Sequence, residues 1–282
     1  YIDDIRGWDF INLDNAPLDD NMHGTHVAGI AGAVGNNGIG IAGAAWNVKL
    51  MHIKVFQSTG QGNTANIATG VEYASSNGAT IINMSFGSYA ESTTLKLALE
   101  NAYATSILVA SAGNDGRCIG PKICPDYLPP APAYPAAYSY VLGIRDLALY
   151  SNYDVDGPKY SEYNSENLLN YELFSPGSGI ISTIPGGGYA HLTGTSMSAP
   201  LVAGGLALYN QQKPDDSNEL IFGSLINTSG SSFVDFLAAI VTEPTPILAV
   251  ISSIQRDTIN SQNGNGFWEP GETIEILPLI KN

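Results

Sequence analysis

The run Ser106-Ile107-Leu108-Val109-Ala110-Ser111-Ala112-Gly113-Asn114-Asp115-Gly116 decides the fold. Its apolar half reads as a buried strand, and its Gly- and Asn-containing half as the loop that leaves the strand's C-terminal end. The preceding sequence repeats the theme. Val48 to Phe56 reads as a strand, Thr64 to Ser75 as a helix, Thr80 to Met84 as a strand and Thr93 to Thr105 as a helix. Such alternation implies right-handed crossovers and a parallel sheet with helices on both faces. Tyr140 to Ile144 and Gly179 to Thr183 are further strand candidates. The expected fold class is α/β, a three-layer sandwich around a mostly parallel, doubly wound sheet.

Open α/β sheets gather their active sites at the C-terminal strand edge, where Asn114 stands. Asn before Asp-Gly is also a common turn. Two other runs weigh against the plain turn. His23-Gly24-Thr25-His26-Val27-Ala28-Gly29 places a histidine on the first turn of a small, apolar helix. Gly194-Thr195-Ser196-Met197-Ser198-Ala199-Pro200 places a serine at a buried helix N-terminus, with Pro200 expected in the helix's first turn. Free N–H groups and the helix dipole there favour developing negative charge. Taken singly, His23 reads as a core histidine and Ser196 as a helix cap. Taken together they supply an imidazole base and a hydroxyl nucleophile, with the Asn114 amide and the Ser196 N–H as oxyanion donors.

These runs, with Asn83-Met84-Ser85-Phe86-Gly87 between them, resemble subtilisin-type serine peptidases in the family's order, from about Trp8 to about Ala207. The resemblance implies that His23 is the general base, Ser196 the nucleophile and Asn114 the oxyanion donor. It also implies that Ser85, Phe86 and Gly87 face Ser111, Ala112 and Gly113 as two walls binding an extended protein or peptide substrate. The implied activity is that of a secreted serine endopeptidase working through an acyl-enzyme, a monomer in the extracellular space. Asp115 is expected at the rim of the main specificity pocket, where a carboxylate would help a basic side chain.

The family's catalytic aspartate lies in an Asp-Thr-Gly or Asp-Ser-Gly segment, and none of the 22 residues before His23 has that pattern. The stretch Tyr1 to Phe10 resembles instead the segment downstream of that aspartate, so Asp3, Asp4 and Asp9 are not assigned as the triad acid. Tyr1 is expected to be the edge of an incomplete sequence, and the chain as given to have impaired activity. A peptide-binding module without turnover is the alternative reading. A metal hydrolase using His23 and His26 is a third, weakened because no glutamate lies between them.

Asp9, Asp14, Asp19 and Asp20, with Asn12 and Asn15, crowd the loop before His23. They offer the hard oxygens that calcium takes, and equally suit a solvated acidic loop. By resemblance, Asp9 and Asp14 match calcium positions, and Asn37 in Gly35 to Ile41 matches a calcium loop. The expected calcium is structural, and the chemistry itself requires no cofactor. Cys118 and Cys124 are the only cysteines, open to a disulfide or to two free thiols.

Net charge is −15, from 11 Lys and Arg against 26 Asp and Glu, which argues against nucleic-acid partners. No run approaches the roughly 18 apolar residues a spanning helix needs, so no membrane partner is expected. Organisation is expected as a peptidase domain over 1–241, a linker at 242–246 around Pro244 and Pro246, and the opening of a β-sandwich-like domain over 247–282.

Overall fold

A computed structural model describes residues 7–116, 118–119, 132–148, 150–154, 173–229 and 233–241. The chain divides into two compact units, Tyr1–Thr245 and Pro246–Asn282, and all the elements below belong to the first. The linker and appended domain expected over 242–282 lie outside the described residues, as do Cys124 and with it the question of a disulfide to Cys118.

The first half runs β1 (Gly7–Asp9), α1 (His23–Gly32), β2 (His52–Lys54), α2 (Thr64–Ser76), β3 (Ile81–Met84), α3 (Thr93–Tyr103) and β4 (Ile107–Ser111). The second half continues with β5 (Cys118–Ile119), β6 (Leu142–Arg145), β7 (Tyr153–Asp154), β8 (Leu173–Phe174), β9 (Ile180–Ile184) and β10 (Gly188–Leu192). The chain of described elements ends with α4 (Thr195–Gln212), α5 (Asn218–Ser229) and α6 (Phe236–Val241).

The main sheet has four parallel strands in the order β3-β4-β6-β8. All five residues of β4 are buried, as a central strand covered on both faces requires. Side-chain alternation sorts them. Leu108 and Ala110 join Ile82 and Met84 in packing against α2 and α3. Ile107 and Val109 join Leu142 and Ile144 in packing against α4, α5 and α6. One sheet therefore separates two helical layers, the expected sandwich.

Three details differ from the sequence reading. The strand expected over Val48–Phe56 is described as β2 over His52–Lys54, paired in parallel with Gly7–Asp9. The β1–β2 pair forms a ladder separate from the main sheet. Gly179–Thr183 does yield a strand, yet β9 pairs antiparallel with β10 as a hairpin outside the main sheet.

Helix starts depend on local chemistry. Asn63 and Ser92 cap α2 and α3, accepting from Asn66 N and Leu95 N. Helix α1 is started from further away: Asp19 Oδ2 accepts from both Thr25 N (2.7 Å) and Thr25 Oγ1 (2.6 Å), and Asp19 Oδ1 accepts from Asn21 N and Met22 N. Burial opposes ionisation of Asp19, but these donors outweigh it and hold the carboxyl below its ordinary value.

Helices α1 and α4 pack against each other at backbone distance. A Cβ built on Gly204 would lie 2.6 Å from Ala31 O and 2.6 Å from Ala44 Cβ. Glycine is required there by space. In an exposed helix Gly→Ala stabilises by roughly 0.5–1 kcal/mol. Gly204→Ala is expected to reverse that sign and destabilise by about 1–3 kcal/mol in urea unfolding, because the added methyl meets a carbonyl.

Candidate active site

Helix α4 opens at Thr195, which puts Ser196 in its first turn and moves Pro200 to the sixth helical position, deeper than the first turn expected. Proline lacks the N–H that would bond the carbonyl four residues earlier. That carbonyl belongs to Ser196. Ser85 Oγ supplies the missing donor, 2.9 Å from Ser196 O, and in turn accepts from Asn83 Nδ2 at 3.0 Å. Ser196 Oγ donates to Ser85 O at 3.3 Å. The serine is thus held to the end of β3 by reciprocal hydrogen bonds.

Asn114 lies on the loop after β4, as expected, and its side chain meets the same helix start. Its Oδ1 accepts from Thr195 N (2.8 Å) and Thr195 Oγ1 (3.0 Å). Thr195 Oγ1 also accepts from Gly113 N at 3.1 Å. With the oxygen committed to Thr195, the amide nitrogen is left as the outward donor, beside Gly194. Thr195 is fully buried and carries this orientation. The sequence reading passed over it, although a hydroxyl directly before a helix-start serine is a visible signal.

His23 opens α1 and is half-buried. Burial disfavours its charged form and lowers its pKa below 6.5. The Asp19 carboxylate pulls it upward and His26 pushes it down. Among the described residues the His23 ring has no hydrogen-bond partner, and Ser196 Oγ donates to Ser85 O rather than to the imidazole. Their helices, however, are the two in backbone contact at Gly204. The hairpin also grips α1: Ser182 Oγ donates to His26 O (2.7 Å), Thr183 Oγ1 donates to Thr25 O (3.0 Å), and His26 Nε2 lies 3.0 Å from Ala190 O. A carbonyl only accepts, so His26 carries its proton on Nε2 and serves the fold.

The two segments expected as walls leave the ends of β3 and β4. Ser85 and Phe86 leave β3, with Phe86 packed against Phe56 at 5.1 Å between ring centroids. Gly87 stands exposed after them, and Ser88 pairs with Tyr134 through both backbone groups. Ser111 and Ala112 are buried opposite, and Gly113 takes a φ of +101° open to glycine. A Cβ on Gly87 would meet the Ala133 methyl at 3.9 Å, and one on Gly113 would meet it at 3.7 Å. The two glycines face a common floor at Ala133 and leave a slot between them.

The acidic loop is satisfied from within. Asp9 is buried and accepts from Ile11 N, Asn12 N and Asn12 Nδ2, while Asp14 accepts from Ala16 N. Asp20 pairs with Lys54 at 2.6 Å, and Asn37 Oδ1 accepts from Ile39 N. Among the described residues no group of three or more His, Cys, Asp or Glu is gathered to hold a metal ion. Asp9, Asp14 and Asn37 are therefore not gathered with other carboxylates into one cluster, and His23 and His26 form no metal site among the described residues. No described helix is long and apolar enough to cross a membrane.

Known proteins resemble this chain in sequence and fold. The subtilase family profile, peptidase S8, matches residues 1–266. Thermitase of Thermoactinomyces vulgaris is 37% identical over 215 residues, covering 76% of this chain and 70% of the relative. Subtilisin DY of Bacillus licheniformis is 37% identical over 233 residues, covering 81% of this chain and 79% of the relative. Among solved structures, a protease of Pseudoalteromonas arctica superposes with a TM-score of 0.64 at 32% identity, covering 77% of this chain and 70% of that one. Profile, relatives and fold agree, and the chain belongs to the subtilase family of serine peptidases.

Proposed function

We propose that this chain is a secreted serine endopeptidase in which Ser196 is the nucleophile, His23 the general base and Asn114 the oxyanion donor. The observation that carries the reading is the commitment of Asn114 Oδ1 to Thr195, which leaves Nδ2 free to donate beside Ser196. In the ground state Ser196 Oγ is parked on Ser85 O at 3.3 Å, a long bond easily exchanged for one to the imidazole. The Ser196 oxygen attacks the peptide carbonyl carbon as its proton passes to His23. Negative charge gathers on the carbonyl oxygen, facing Asn114 Nδ2 and the Ser196 N–H at the start of α4. The C–N bond breaks as His23 returns the proton to the leaving amine. Water then attacks the ester, giving its proton to His23, and Ser196 is restored.

Substrate is proposed to lie extended between residues 85–87 and 111–113, with one side chain in the slot over Ala133. The peptide-binding module without turnover is the second reading. It is favoured by one fact: among the described residues no carboxylate hydrogen-bonds the His23 ring. Loss of the orienting acid costs about 10⁴ in rate in such triads. A fluorophosphonate separates the two readings, since the peptidase reading requires covalent label on Ser196 that His23→Ala suppresses. An unlabelled Ser196 in folded protein would favour the binding module.

Asn114→Ala is expected to lower kcat by about 10²–10³. Thr195→Val, which removes the hydroxyl but keeps the N–H, is expected to lower kcat by about tenfold with KM within about twofold, since only transition-state contacts suffer. A rise in KM at constant kcat would instead make Thr195 a ground-state contact.

The pH dependence has a definite sign. The base must be neutral, and burial lowers the His23 pKa, so kcat/KM is expected to rise with a midpoint below pH 6.5. Asp19 pulls that pKa upward, so Asp19→Asn is expected to move the midpoint lower still. A midpoint unchanged or raised in this variant, read from a pH–rate profile, would contradict the electrostatic assignment.

A further inference from the structure

Beside the slot, three side chains from three separate segments close a hydrogen-bonded ring. Asp115 N donates to Asn152 Oδ1 (3.2 Å), Asn152 Nδ2 donates to the Tyr89 hydroxyl (2.9 Å), and that hydroxyl donates to Asp115 Oδ2 (2.6 Å). The second amide hydrogen of Asn152 goes to Ala112 O at 2.8 Å. Tyr89 comes just after the wall at 85–87, Asp115 just after the wall at 111–113, and Asn152 leads into β7. The ring adjoins the slot: a Cβ on Gly113 would meet both Asn152 Nδ2, at 2.4 Å, and the floor residue Ala133.

We infer that Tyr89 is a specificity-determining residue of this cleft, one that ties its two walls together and holds the Asp115 carboxylate out of reach of a basic substrate side chain, so that apolar side chains are selected. The inference rests on the peptidase reading above. Asn152 is fully buried, with both amide hydrogens and its oxygen committed, so it cannot turn to free the ring. Tyr89 therefore accepts from Asn152 and spends its single proton on Asp115. The hydroxyl proton on Oδ2 takes up part of the carboxylate's charge and fixes the group toward Tyr89, so a lysine entering the slot meets a weakened partner pointed at the opposite wall. The rim carboxylate expected from sequence to favour basic side chains is thus present but held by Tyr89.

The test compares two peptides identical except for Phe or Lys before the scissile bond. Their kcat/KM ratio is measured in active protein, and their Kd ratio in a Ser196→Ala background. Tyr89→Phe is expected to raise the Lys-to-Phe preference by about three- to fivefold at low salt, the size of an exposed ion pair. That gain should fade near 1 M salt and vanish in Tyr89→Phe with Asp115→Asn. Asp115→Asn alone, with Tyr89 in place, should stay within about twofold of the parent. An unchanged preference in Tyr89→Phe, or a gain that survives loss of the Asp115 charge, overturns the inference. Binding without Ser196-dependent turnover would remove the peptidase reading and leave the Kd ratio to decide the role of Tyr89. Failure of both peptides to bind would remove both.

Discussion

The first turn of α4 is the constraint on which the cleft depends. A helix start leaves backbone N–H groups without partners, and Pro200 leaves the Ser196 carbonyl without one as well. Both deficits are met by side chains from other segments. Asn114 takes the Thr195 N–H, and Ser85 gives its hydroxyl proton to Ser196 O. An unsatisfied buried carbonyl costs about 1–3 kcal/mol, so these bonds would be retained for stability alone. The same bonds locate the catalytic candidates. The loop after β4 must bring Asn114 to Thr195, and the end of β3 must bring Ser85 to Ser196, because the helix is incomplete without them.

Strand order explains why those two loops are available. β3 and β4 are parallel neighbours, so both their C-terminal ends open on one edge, and the loops leaving them flank the same space. Main-chain groups of 85–87 and 111–113 then line that space. Glycines at 87 and 113 leave room over Ala133 that any side chain would fill. The ring of Tyr89, Asp115 and Asn152 spans the walls just beyond that slot. Rigidity at the back of the cleft and openness at its centre thus come from neighbouring residues on the same two loops.

Much of this was legible in the amino acids. The unbroken apolar run at Ile107–Ala110 announced a strand buried on both faces, and the proposed site residues stand in glycine-containing runs, His23 and Ser196 at helix starts and Asn114 on the loop leaving a strand. Less legible was anything set by pairing at a distance. Val48–Phe56 carries strand-like residues throughout, yet among the described residues only His52–Lys54 pairs in a ladder, with Gly7–Asp9, and this ladder stands apart from the main sheet. Gly179–Thr183 does form a strand, and Gly186 and Gly187, both at positive φ, turn the chain back so that it pairs as a hairpin. The acidic loop before His23 had the composition of a cation site. Its carboxylates accept from local N–H groups, from Thr25 and from Lys54, and no spacing rule foretells which donor a carboxylate will choose. Tyr89 and Asn152 escaped notice for the same reason, since their partners are remote in sequence.

The proposed base and nucleophile are positioned by different means. Ser196 is tied to the main sheet through Ser85 and, by way of Thr195, through Asn114. His23 belongs to α1, which no strand of the main sheet hydrogen-bonds among the described contacts. The fixing of α1 comes from the hairpin gripping Thr25 and His26, the Asp19 bonds to Thr25, and the backbone contact with α4 at Gly204. Ala44 N and Ala45 N add bonds to Ile30 O and Ala31 O at the far end of the helix. The separation of imidazole and hydroxyl therefore depends on a helix–helix approach, with the sheet acting only through α4. A small change in that approach moves His23 relative to Ser196 while leaving Asn114, Ser85 and the walls in place. The proposed oxyanion donor and walls are in this sense built into the sheet edge. The proposed proton transfer depends on the packing of two helices, and it is the more sensitive to anything that loosens α1.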